Sequence, residues 1–195
     1  MTIIQTNVDK IYLSLTNGKN LAQIGANGIN GTFFDMRNPS SPNACWGIAI
    51  NKGKPIGGNA MINHPNPHIK RATVIYGENR ISTEYVNNIN EVERKVDWAI
   101  GGVGLYPVYD PRYERVPKDI LRTCRHTGLA FRGDTVYLIA CSGYMSLYQF
   151  KQAILQTLKI DGAIALDGGG STQLFYNEAL IYSKRKLNNM IGVMK

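Results

Sequence analysis

The densest chemistry in the chain lies in Ala163-Ile164-Ala165-Leu166-Asp167-Gly168-Gly169-Gly170-Ser171-Thr172. A short apolar run ends in an acid, followed by three glycines and two hydroxyls. Consecutive ordered glycines are costly, because glycine loses more backbone entropy on folding than any other residue. A chain tolerates them where it needs unusual dihedrals or must bring its backbone close to a ligand. With no side chains in the way, successive N–H groups can point together at an anion such as a phosphate. Ser171 and Thr172 would add hydroxyl donors, and Asp167 is placed to act as acid, base, nucleophile or metal ligand. The plainer alternative is a glycine-rich turn whose Asp makes local hydrogen bonds.

Two further segments could complete such a site. Asn27 through Asp35, reading Asn-Gly-Ile-Asn-Gly-Thr-Phe-Phe-Asp, runs from turn residues into aromatics and a carboxylate. On its own it reads as a hairpin turn and a half-buried strand. Arg122-Thr123, followed by Cys124, Arg125 and His126, supplies a guanidinium that can grip a phosphate bidentately. On its own it reads as a solvated basic loop. His64 and His68 flank prolines but lack an evident third ligand for a metal. Cys124 and His126, two apart on an extended chain, would share a face and leave a Cys–His pair open, testable by thiol alkylation.

The elements that must hold these residues read as strands with few helices. Twenty glycines are spread along the chain, many at the ends of short apolar runs. Strands are predicted at Lys10 to Leu15, Trp46 to Asn51, Ala72 to Tyr76 and Gly128 to Phe131. Others are predicted at Thr135 to Cys141, Ala163 to Leu166, Gln173 to Tyr176 and Ile191 to Met194, with Arg132-Gly133-Asp134 as a hairpin turn. One helix is well signalled by Ser146 and Gln149 in capping-box relation, with Phe150, Ile154 and Leu158 on one face. A weaker helical period links Ile89, Val92, Val96 and Ala99. No repeat or linker interrupts the chain, so residues 1–195 read as one domain.

Composition narrows the class. Hydrophobic residues make up 44% and charged residues 18%, which fits a folded globular chain rather than a disordered one. No apolar window is long enough to span a bilayer, and the N-terminus lacks the apolar core of a secretory signal, giving a cytoplasmic or phage-associated expectation. Cys45, Cys124 and Cys141 are odd in number and far apart, which favours buried thiols over a disulfide framework. The net charge of +8 favours an anionic small-molecule or glycan substrate. Arg112, Arg115, Lys118, Arg122, Arg125 and Arg132 form one basic stretch, and Lys184, Arg185 and Lys186 another. Neither lies on an amphipathic helix with interleaved aromatics, so nucleic acid is disfavoured. Oligomeric state is open.

Asn30-Gly31-Thr32-Phe33-Phe34-Asp35, Arg122-Thr123 and Leu166-Asp167-Gly168-Gly169-Gly170-Ser171 occur in the order and spacing of the phosphodiester glycosidase family, and the chain resembles its short bacterial or phage versions. Weaker similarity at Gly101 to Leu105 and Arg185 to Asn189 extends the resemblance over about Gly25 to Val193. The family usually follows Arg-Thr with small and aliphatic residues and then Gly, where this chain has Cys124, Arg125 and His126. The resemblance implies an α+β fold, a curved antiparallel or mixed sheet core with two or three packed helices. It also implies hydrolysis at the anomeric carbon of a sugar linked through phosphate. In that frame Asp167 and Asp35 are the carboxylates, Asn30 orients sugar or water, and Arg122, Gly168, Gly169, Gly170 and Ser171 hold the phosphate. Thr123, Thr172, His126, Arg185 and Asn189 are further substrate-binding candidates. The resemblance fixes no cofactor, and a divalent cation (calcium or magnesium) at Asp167 stays open. So do two alternatives: a non-catalytic sponge for phosphorylated sugars or nucleotides, and a hydrolase of nucleotide-type phosphodiesters.

Overall fold

A computed structural model describes residues 1–194. The chain forms three five-stranded sheets, antiparallel at every pairing between named strands. The first sheet runs in the order Thr2–Asn7, Thr135–Met145, Cys124–Arg132, Gly162–Ala165 and Val103–Tyr106. The second runs Glu178–Ile181, Leu174–Tyr176, Gly28–Asn30, Asn189–Val193 and Ile11–Leu15. The third runs Lys54–Pro55, Ala49–Asn51, Trp98–Gly101, Arg71–Gly77 and Arg80–Val86.

The main core joins all three sheets, with Ile4, Leu129 and Ile164 from the first, Ile29 and Ile191 from the second, and Val74 and Ile100 from the third. The outer face of the first sheet is covered by the helix Leu147–Thr157, whose Leu147, Phe150 and Ile154 pack on Ala130, Ile139, Ala163 and Ala165. Because strands of this sheet are buried on both faces, they read as unbroken apolar runs rather than alternating ones. Ser146 and Gln149 form the capping box that starts the helix, and the Gly133-Asp134 turn joins Cys124–Arg132 to Thr135–Met145.

All eight predicted strands lie on observed ones, with shifted ends. The helical period at Ile89, Val92, Val96 and Ala99 is a correction. Asn88 and Glu91 cap a single 3-10 turn, Ile89–Glu91, after which the chain extends and pairs as Trp98–Gly101. Ile89, Val92 and Val96 cluster with Ala99 of that strand and with Ile48, Ile50 and Ile75. An extended chain with a turn satisfies that spacing as well as a helix does. Two one-turn helices, Leu21–Ile24 and Lys118–Leu121, complete the α-helical content among the described residues. Among the described residues no helix is long and apolar enough to cross a membrane. All three cysteines are free and buried.

Candidate functional site

The apolar strand Gly162–Ala165 delivers Asp167 to the edge of a cavity walled largely by apolar side chains. Leu166 N–H donates to Thr127 O at 2.8 Å, and Asp167 N–H donates to Gly31 O at 3.3 Å, so the strand's exit is tied to two neighbours. Asn30 completes the tie. Its Nδ2 donates to Asp167 O at 2.7 Å, while its Oδ1 accepts from Thr127 Oγ1 at 2.9 Å and Gln173 N–H at 3.0 Å. A buried amide with these bonds made is a clamp between two sheets, not a hand held out to sugar or water. The structure thus places Asn30 behind the acid, holding its backbone, while the role expected of it toward sugar or water is not part of this contact set.

After Asp167 the chain turns through Gly169–Ser171 as one 3-10 turn. Gly169 sits at φ +60°, a conformation that disfavours any side chain. Gly170 is required by proximity: a Cβ there would lie 2.7 Å from both Nε and Nη2 of Arg185. Two guanidiniums therefore flank the turn, with Arg185 against Gly170 and Arg122 over Gly169. Arg122, Arg185, Asp167 and the glycines, far apart in sequence, meet at one place.

The amides of this turn are partly spoken for. Gly168 N–H and the Ser171 hydroxyl bond to the Asp167 carboxylate, and Gly169 N–H reaches the Cys124 sulfur. Ser171 itself is buried, so it supports the acid rather than facing a ligand. Burial pushes Asp167 up from the ordinary 3.8 to about 6, the Ser171, Arg185 and Gly168 contacts pull it back, and the Asp119 charge adds to the rise. A carboxyl held there is ionised at neutral pH yet more basic than a surface aspartate.

Other expectations move outward or inward. Asp35 lines neither cavity at this site. Its carboxylate is bound by the exposed Arg37 at 2.6 Å, and that hydrogen bond holds it down at about 2, away from the cavity that Asp167 borders. Thr172 and Asn189 are buried behind the turn, with Thr172 Oγ1 and Asn189 Oδ1 lacking a hydrogen-bond partner, so they shape the loop from within. Thr123 is exposed in the bend between Arg122 and the strand Cys124–Arg132. His126 is buried behind Gly168, stacked on Phe150 at 5.3 Å, with Nε2 2.8 Å from Met145 O. Since that carbonyl can only accept, Nε2 carries the proton, and burial holds the ring neutral. Nε2 is committed there, 3.9 Å from Cys124 Sγ, and burial raises the Cys124 pKa. Both shifts work against a thiolate at Cys124 paired with a protonated His126. His64 has its Nδ1 engaged by Asn66 N–H, and no third ligand joins it and His68. Around Asp167 the Arg185 charge and the Asp119 carboxylate both act on the acid, and no group of three or more metal-ligating side chains occurs among the described residues.

The cavity that Asp167 borders has a volume of about 720 Å³. Phe33, Phe34, Ile62, Pro65 and the half-exposed Trp46 give it apolar walls. Its polar groups include Asp167, Asp119, Arg71, His64 and Asn59. Asp119 and Arg71 were missed in the sequence. Asp119 sits on the one-turn helix just before Arg122, inside a basic stretch that masks it. Arg71 is buried, its Nε donating to Glu114 O at 3.2 Å. Glu114 is fully buried beside it, accepting from Ala72 N–H at 3.1 Å and Gly104 N–H at 2.9 Å.

Beyond the turn lies a second cavity, an open trough of about 760 Å³ lined by Arg37, Ser40, Gly170, Lys184, Arg185 and Lys186 among others. Met36 borders both cavities, so the Asp167–Gly170 segment is the divide between an aromatic chamber and a basic trough.

Comparison with known proteins agrees with this fold. The fold is similar to the catalytic domain of zebrafish N-acetylglucosamine-1-phosphodiester alpha-N-acetylglucosaminidase, auto-inhibited by its pro-peptide, with a TM-score of 0.73 and 15% identity over 100% of this chain and 82% of that one. It is also similar to a hypothetical protein from Synechocystis, with a TM-score of 0.65 and 16% identity over 98% of this chain and 58% of that one. At such identities these structures speak for the fold alone. No curated protein matches the sequence. The family model of the phosphodiester glycosidases, however, matches residues 23–194, nearly the whole length, and the chain belongs to that family.

Proposed function

We propose that the protein hydrolyses the glycosidic bond of a sugar-1-phosphodiester, with the sugar in the aromatic chamber and the phosphate between Arg122 and Arg185. The observation that carries this is the position of Asp167, a half-buried carboxylate at the divide between apolar walls and two guanidiniums. The bond that breaks joins the anomeric carbon to the phosphate oxygen, and the electron pair leaves on that oxygen. A phosphate monoester has a second pKa of about 6, so it departs at neutral pH without a proton. What remains is to stabilise its growing charge, which the paired arginines supply, and to assist water or the oxocarbenium-like centre, which falls to Asp167. Water provides the hydroxyl that ends on the sugar, and its proton passes to the carboxylate. Asp119, the other carboxylate on the chamber wall, is the candidate partner.

This assignment sets the sign of the pH dependence. Asp167 works ionised, so kcat/KM should rise about tenfold per pH unit below about 6 and level off above it, until other groups titrate. A steady-state profile on a sugar-1-phosphodiester checks this; a rate that falls through the same range would make Asp167 a proton donor instead. Trp46, at the chamber mouth, offers an apolar face to a sugar ring. Trp46→Ala should raise KM about tenfold with little change in kcat, the signature of lost uniform binding. Mass spectrometry of the products separates this reading from a sponge, which would return its ligand intact.

A further inference from the structure

We propose that the basic trough receives the leaving-group side of the substrate, and that this leaving group carries further phosphates, as in a chain of polyol phosphates. The inference rests on the reading of Asp167 as the reacting centre. The chamber on one side of the divide is apolar and suits a single sugar. The trough on the other side begins at Gly170, where the phosphate between Arg122 and Arg185 would emerge.

Its charges are unequal in availability. Arg37 is already bound to Asp35, and Arg185 lies on the glycine turn. Lys184 and Lys186 remain, both exposed, neither in an ion pair among the described residues, and no acid lines the trough. Two like charges side by side repel unless an anion lies between them. A neutral alcohol would leave both unanswered. Lysine acts on phosphate as a mobile point charge rather than a planar fork, which suits repeating phosphates on a flexible chain.

The walls are held in place before any ligand arrives. Asn188 Nδ2 donates to Pro39 O at 3.0 Å and Ser41 O at 2.8 Å, fixing the loop opposite the lysines. Ser183 Oγ donates to Gly170 O at 2.6 Å, fastening the basic segment to the glycine turn. The trough is open to solvent, so a chain bound in it can extend beyond it.

The test compares two N-acetylglucosamine-1-phosphodiesters, one esterified with methanol and one with tri(glycerol phosphate). The second should show a kcat/KM higher by at least about tenfold at low salt, with the advantage shrinking toward unity near 1 M salt, where the Debye length is ~3 Å. In the Lys184→Ala/Lys186→Ala protein, checked for folding by circular dichroism, the ratio should fall close to one. If the methyl diester is cleaved in an Asp167-dependent way and the wild-type ratio is already one, the trough inference fails and the proposed function stands. Calorimetry with sugar-free tri(glycerol phosphate) decides the case if neither diester is cleaved: binding lost in the double variant upholds the trough and sinks the hydrolysis reading, while no binding overturns the trough. Tighter binding of a trinucleotide of equal charge would overturn the polyol assignment.

Discussion

Asp167→Asn is expected to lower turnover by about 10³-fold, within the usual range for a positioned acid–base or charge-stabilising group. The same change is expected to make the protein more stable at neutral pH. The folded-state value of about 6 lies above the ordinary 3.8, so the folded protein holds this proton more tightly than the unfolded chain does. Below about pH 4 the carboxyl is neutral in both states and carries no penalty. The penalty grows as pH rises through about 4 to 6 and is complete above that. Some two units correspond to at most about 3 kcal/mol. Lost hydrogen bonds from Ser171 and Gly168 reduce the expected gain to about 2 kcal/mol at pH 8, or about 5 °C in Tm for a chain of this size. The gain should vanish near pH 4. Rate assays paired with thermal melts at both pH values check this. Turnover within tenfold of wild type would remove Asp167 from the chemistry, whereas a loss of stability would mean that its hydrogen bonds outweigh its desolvation.

Glu114→Ala should have the larger effect on folding, a loss of about 3 to 5 kcal/mol, because it strands a buried charge and two buried donors. Arg71, almost fully buried, has Glu114 as its counter-charge, and Ala72 and Gly104 would keep N–H groups with no acceptor. Burial pushes Glu114 up to about 7, the mark of a carboxyl whose desolvation is only partly offset. Glu114→Gln retains a carbonyl for one of the two N–H groups and should cost less. Denaturant titration of both variants measures the difference, and equal, small losses would show that Arg71 finds another partner or reaches water through the chamber it lines.

The parts of this molecule that sequence reveals are those governed by neighbours along the chain. The Ser146–Gln149 box and the Gly133-Asp134 hairpin are local devices, and their residues announce them. The strand Gly162–Ala165 and its glycine turn are legible for the same reason. Arg80–Val86 is not, because Arg80, Ser82 and Glu84 alternate with half-buried residues on an edge strand and give no apolar run. The site divides in the same way. Arg122 and Arg185 have types that speak for anion binding, and Asp167 one that speaks for acid–base work, wherever they stand. Asn30 and Ser171 have the right types too, but their bonds point inward, and only the crossing of two sheets decides that. Asp35 was drawn in by its place in a motif, yet Arg37, two residues on, had already claimed it. Asp119 and Arg71 reach the chamber from segments with no motif at all.

The amide of Asn30 belongs to one sheet and sets the bearing of an acid carried by another. The aim of that acid is therefore a property of how the layers lie over each other, not of either layer alone. Conditions that let the sheets slip by a fraction of a residue would misdirect the carboxylate while every strand keeps its own ladder. Such a molecule would fall silent while still looking folded to any probe of secondary structure, and it would recover as soon as the layers settled back into register.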